Sequence, residues 1–144
     1  MVTRGLARPP SVATVAWVLA ASAVLTAFHF ADNSLSFATY PGPAWQPDWF
    51  RYVVLASWPA FTLFAVIGFG RYRDGRHAAA HPYLFAYSVT GLVSLGHFLY
   101  GAPADFTTRG LVSVFIDAVA GSAVLAVTFW SVVAHGADSA SAAR

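Results

Sequence analysis

The sequence contains no cysteine, no lysine and no glutamate. Without cysteine there are no disulfides, no thiolate nucleophiles and no thiolate metal sites. The small four-helix quinone-linked thiol oxidoreductases, which work through paired cysteines, are excluded on the same ground. Without lysine there is no Schiff-base chemistry and no lysine general base. The basic residues are eight arginines and the acids are aspartates, 6 in all. Charge is scarce altogether. Only 10% of the 144 residues are charged and 58% are hydrophobic, against about 25% charged in soluble domains. Too few charges remain to cover a surface that faces water. The net charge of +2 is small, and the arginines stand beside apolar runs. Nucleic acid is therefore not an expected partner.

What is present is apolar sequence in long runs, with a mean hydropathy of +0.60. The runs predict an all-α integral membrane protein, a four-transmembrane-helix bundle with helices at 12–31, 52–69, 82–100 and 110–134. Each run is close to the roughly 20 residues that cross a hydrocarbon core of about 30 Å. Ser11, after Pro9 and Pro10, is placed to cap the first helix, and Thr107 or Thr108 the fourth. Pro59 falls inside the second run, where a kink is expected, and Pro82 stands at a first-turn position of the third. A cleavable signal peptide is the competing reading of the first run, with Arg4 and Arg8 as its basic region and Ala21-Ser22-Ala23 as its cleavage site. The apolar run continues past that site, which favours a retained helix.

Arginine placement predicts orientation. Arg4 and Arg8 precede the first helix, and Arg71, Arg73 and Arg76 fill the connection between the second and third. The other two connections hold only Arg51 and Arg109. The positive-inside rule then places both termini in the cytoplasm, as a segment 1–11 and a tail 135–144 flanking a membrane domain 12–134. His77, His81 and His135 would sit among headgroups on that side. Heavy use of Ala, Arg, Val and Gly reads like a GC-rich bacterial genome, so the expected location is a bacterial inner membrane. The loop 32–50 faces outward. It carries Phe37, Tyr40, Trp45, Trp49 and Phe50 among three prolines. It is expected to cover the outer mouth of the bundle with Trp45 and Trp49 packed inward, or else to form an aromatic belt.

Polar residues inside a membrane helix are costly unless they face the bundle. At 100° per residue, Ser22, Thr26, His29 and Asn33 form one stripe on the first helix. Thr90, Ser94, His97 and Gly101 form another on the third, with the same spacing. The match is consistent with a duplicated helical hairpin at an offset of 68 residues. Both stripes bring a histidine to similar depth near the outer surface. Asp117 on the fourth helix lies about 10 Å below the outer boundary. A carboxylate there needs a partner: His29, His97, or the hydroxyls of Ser94 and Thr90. The alternative is a neutral carboxyl hydrogen-bonded for packing alone.

Three functions follow as expectations. The first is a site for a small or lipid-like ligand in the outer half of the bundle. Asp117, His97 and His29 are its candidate catalytic residues for proton transfer, and Asn33, Asp32, Tyr100, Trp58 and Ser94 its candidate ligand contacts. The second is a cofactor protein, with His29 and His97 holding a b-type haem or a divalent metal. No HxxxH or ExxH spacing joins these two residues to a further ligand. The third is an accessory subunit of a larger membrane complex. Membrane lipid and either a membrane-protein partner or a second copy are the expected partners.

Overall fold

The computed structural model describes residues 8–142, and side chains through residue 136. Arg4 and Arg144 lie outside the described residues. Among those described, the chain is all-helical, with four helices. They are α1 (Val12–Leu35), α2 (Phe50–Arg73), α3 (His77–Leu92) and α4 (Thr108–Ala142). Three are long and apolar enough to cross a membrane: α1, α2, and α4 over Thr108–Gly136. Their outward faces are apolar, with Trp17, Val24, Leu63, Val66, Val119 and Phe129 all more than half exposed. A surface of this kind suits lipid.

Local chemistry sets the helix ends. The Ser11 side chain accepts the Thr14 backbone N–H at 3.0 Å and starts α1. Thr107 accepts the Gly110 N–H at 3.1 Å at the start of α4. α2 runs through Pro59 as one helix. The expected third span of 82–100 is two elements. The α-helix begins earlier, at His77, and ends at Leu92; Val93–Leu99 continue as a 3₁₀ segment. Within that segment the Ser94 hydroxyl donates to the Gly91 carbonyl at 2.6 Å and to the Val114 carbonyl of α4 at 3.2 Å. The 16-residue α3 spans about 24 Å alone. The 3₁₀ continuation adds roughly 14 Å.

Around the bundle each helix packs on its sequence neighbours, and α4 closes the ring against α1. α1 and α3 are diagonal. The α3–α4 contact is backbone on backbone. A Cβ on Gly91 would fall on the Asp117 carbonyl oxygen, and one on Gly121 would lie 2.6 Å from the Ser88 carbonyl oxygen. Small residues at such a crossing let helices approach closely. Here they also fix the height of Asp117.

The two ends of the bundle differ. At one end Tyr72 donates to the Pro10 carbonyl at 2.7 Å and Trp130 to the Arg8 carbonyl at 2.9 Å. These bonds gather Arg8, the Arg71–Arg76 connection and the C-terminal part of α4. The apolar core, with Val15, Tyr72, Leu84, Tyr87 and Val124, fills this half. The other half buries His29, Asp32, Asn33, Ser94, Ser113 and Asp117 instead.

Candidate functional site

The polar half is assembled from all four sides. α1 contributes its stripe: Ser22, Thr26, His29 and Asn33 are all buried. His29 Nδ1 lies 2.9 Å from Ser113 Oγ of α4, and its Nε2 lies 3.8 Å from Asp117 Oδ2. That second distance is too long for a hydrogen bond and falls within ion-pair range if His29 is protonated. Asp117 is fully buried, and neither carboxyl oxygen has a hydrogen-bond partner. The hydroxyls weighed as partners lie elsewhere in the hydrogen-bond pattern. Ser94 donates to the Gly91 and Val114 carbonyls, and Thr90 Oγ1 is buried with no partner. Of the four groups considered for Asp117, His29 is the one placed within ion-pair distance.

His97 reaches the same region from the 3₁₀ segment. Its ring centroid is 5.9 Å from that of His29, edge to face. His97 Nδ1 lies 2.9 Å from the Pro41 carbonyl oxygen, and Nε2 lies 2.8 Å from Asn33 Nδ2. A carbonyl only accepts, so Nδ1 carries the proton. In the neutral ring Nε2 is then an acceptor, and the Asn33 amide donates to it. This leaves Asn33 Oδ1 turned from His97, buried and without a partner.

The loop closes over these groups, through other aromatics than the tryptophans. Trp45 and Trp49 are 75% and 61% exposed, which corrects the expectation that they pack inward. Composition identifies residues suited to an interface, but not the face on which a proline-rich loop presents them. Tyr40 is the covering residue. It is buried, its ring lies 5.8 Å from His29 and 5.1 Å from His97, and its hydroxyl donates to Asp32 Oδ2 at 2.6 Å. Burial, and then the Asp32 carboxylate, push the Tyr40 hydroxyl above its ordinary range, so it stays a donor. Arg109 pairs with the other oxygen of Asp32. Asp32 thus pins loop and α4 to α1 behind the site, rather than lining it.

Beneath Tyr40 and Pro41 is a cavity of about 290 Å³. His29, Asn33, Ser94 and His97 form its polar end, and Phe30, Phe37, Phe50, Val54, Phe61 and Val93 its apolar walls. Val93 is exposed and Phe50 and Val54 are partly so, which places the opening between α2 and the 3₁₀ segment. Two residues expected as ligand contacts stand apart. The Trp58 indole donates to the Ala23 carbonyl and to Thr26 Oγ1, tying α2 to α1. Tyr100 is 56% exposed on a shallow groove on the far side of His97.

The donor set does not fit a haem held by both histidines. His97 has both nitrogens engaged, His29 has Ser113 and Asp117 at its two nitrogens, and Tyr40 packs against both rings. Iron ligation would require giving up these partners. Among the described residues, no group of three His or Asp side chains is placed to hold a metal ion.

A second histidine cluster lies at the arginine end. His77 and His81 have the i, i+4 spacing, and His135 stacks on His77 with ring centroids 3.9 Å apart. His81 Nε2 lies 2.9 Å from Ser131 Oγ. The HxxxH spacing of His77 and His81 is the sequence signal for this cluster.

No protein-family model matches the sequence, and no curated protein or solved structure matches the chain.

Proposed function

We propose that this chain is a four-span membrane protein that binds a small lipid-like molecule in the outer half of its bundle, with His29 and Asp117 as a proton-transferring pair. The carrying observation is the cavity itself: polar at one end, aromatic and aliphatic elsewhere, and open on the lipid-facing side. An acid and a base lie 3.8 Å apart and buried; they would pass a proton by closing to hydrogen-bond distance, about 2.6–3.2 Å, or through one bridging water. His29 lies on the cavity wall and Asp117 behind it, so His29 would touch the ligand and Asp117 would act through His29.

In this reading α3 and its 3₁₀ continuation form the fourth span, and both termini are cytoplasmic. The end that gathers Arg8, Arg71, Arg73 and Arg76 faces inward. At the other end the Arg109 charge is offset by Asp32, which sharpens the asymmetry.

Ser57 is on the cavity wall, so Ser57→Phe would fill the space while leaving the polar end untouched. Organic extracts of the purified wild-type protein should contain a lipid-like molecule enriched over bulk lipid, and the Ser57→Phe extract should lack it. Equal retention by a folded Ser57→Phe protein would place any ligand outside this cavity.

A further inference from the structure

We infer that the arginine end of the bundle carries a site for an anionic phospholipid, its phosphate on Arg71 and an acyl chain in the groove between α2 and α3. This site is apart from the cavity under Tyr40 and does not depend on it. The groove, of about 400 Å³, is walled by Phe64 of α2 and by Pro82, Tyr83 and Ala86 of α3. Phe64 and Pro82 are exposed, and Tyr83 and Ala86 partly so. Helical register carries both walls toward the arginine end. Phe64 and Arg71 stand two turns apart on one face of α2, and Ala86 and Ala79 likewise on α3. At these next positions the walls are joined. Arg71 Nη1 donates to the Ala79 carbonyl at 3.1 Å, and the guanidinium carbon lies 4.2 Å from the centre of the Tyr83 ring. Tyr83 therefore both walls the groove and holds the cation that closes its end. In the other direction the Tyr83 ring meets Phe64 at 6.2 Å, and Phe64 meets Phe61 at 6.4 Å. These rings extend an apolar track toward the middle of the membrane.

Charge narrows the class of lipid. Arg71 is partly exposed, and the Ala79 carbonyl takes up one nitrogen of a guanidinium that carries five N–H donors. Among the described residues, no carboxylate lies within ion-pair distance of Arg71 or Arg76. Asp74, the one acid of the connection, sits against Arg73 instead. The Arg76 N–H donates to the Arg71 carbonyl at 2.8 Å, which keeps these two residues adjacent. Three arginines against one aspartate leave an excess of positive charge at the groove's end. A lipid phosphate accepts from the remaining guanidinium donors. A zwitterionic headgroup also brings an ammonium, which the excess charge repels. A neutral lipid leaves the arginines without a counter-charge, and free phosphate leaves the groove unused. An anionic phospholipid meets both the cations and the apolar walls.

Native mass spectrometry of the full chain, delipidated in detergent, resolves lipids bound to it. Phosphatidylglycerol and phosphatidylcholine with identical acyl chains are titrated separately. Phosphatidylglycerol should bind at least about fivefold tighter, the order of one arginine's attraction for anionic lipid. Arg71→Gln should remove most of that preference. Ala86→Trp fills the groove and leaves the arginines in place; it should weaken phosphatidylglycerol binding by at least about fivefold through lost apolar contact. Glycerol 3-phosphate, a headgroup without chains, should not displace the lipid. Equal binding of both lipids by wild type, or binding of neither, overturns the inference, and these comparisons stand if a variant fails to fold. A preference that survives in Arg71→Gln removes Arg71 from the site. Unchanged binding by Ala86→Trp removes the groove. Displacement by glycerol 3-phosphate would make this a phosphate site with no lipid specificity, which also overturns the inference.

Discussion

Asp117 is fully buried, and its carboxyl group makes no hydrogen bond. A side chain kept for packing would be expected to have a partner, because an unsatisfied buried polar group is destabilising. His29 Nε2 lies 3.8 Å from its Oδ2. Replacing an unsatisfied buried polar group by an apolar one of similar size is commonly neutral or stabilising. Asp117→Leu should therefore leave thermal stability in detergent unchanged or raise it, by up to about 2 kcal/mol, and Asp117→Asn, which keeps a polar group without the charge, should leave it unchanged. A loss of more than about 2 kcal/mol in both variants would make Asp117 a structural residue. His29 and Asn33 were legible in the sequence because polar residues at helical spacing in an apolar run have one side to face. Tyr40, Pro41, Ser113 and Arg109 were less so. Their roles depend on contacts with His29, His97 or Asp32 that loop closure and the α1–α4 packing create.

At the scale of elements, the α3–α4 crossing sets where Asp117 stands. Gly121 leaves no room for a Cβ, whose neighbours would be the Ser88 carbonyl oxygen at 2.6 Å and the Leu92 nitrogen at 2.8 Å. Backbone atoms cannot swing aside as a side chain can. Gly121→Ala should cost about 1–3 kcal/mol. Gly136, with nothing within 4 Å of its Cβ position, provides the contrast. Gly136→Ala should stabilise α4 by about 0.4–1 kcal/mol. Thermal or denaturant unfolding of the two variants checks the opposite signs; equal effects would mean that the crossing tolerates separation. Hydropathy located these helices, but it could not show where α3 turns into a 3₁₀ helix. The change at Val93–Leu99 falls inside a continuous apolar run, and an average over a long window is blind to it.

At the scale of the molecule, one half has a conventional apolar core and the other a polar interior under an aromatic loop. The proposed orientation puts the polar half outside. Because the chain has no native cysteine, single substitutions report cleanly. Asp74→Cys and Ala104→Cys, both at exposed positions at opposite ends, should react with an impermeant thiol reagent from opposite sides of the membrane. Labelling of both in intact cells would remove the four-span topology. The division into halves was only partly visible in the sequence. The arginine asymmetry could be counted directly, whereas the apolar core requires knowing that Tyr72, Leu84 and Val124 meet. The location of the polar half also bears on how the chain is made. His29 enters the membrane with the first helix, yet its partner Ser113 follows 84 residues later. At about 5–20 residues per second that interval is roughly 4–17 seconds. Asp32 waits for Arg109 over a similar stretch. The polar groups of the first helix therefore meet these partners only after the last helix has been made.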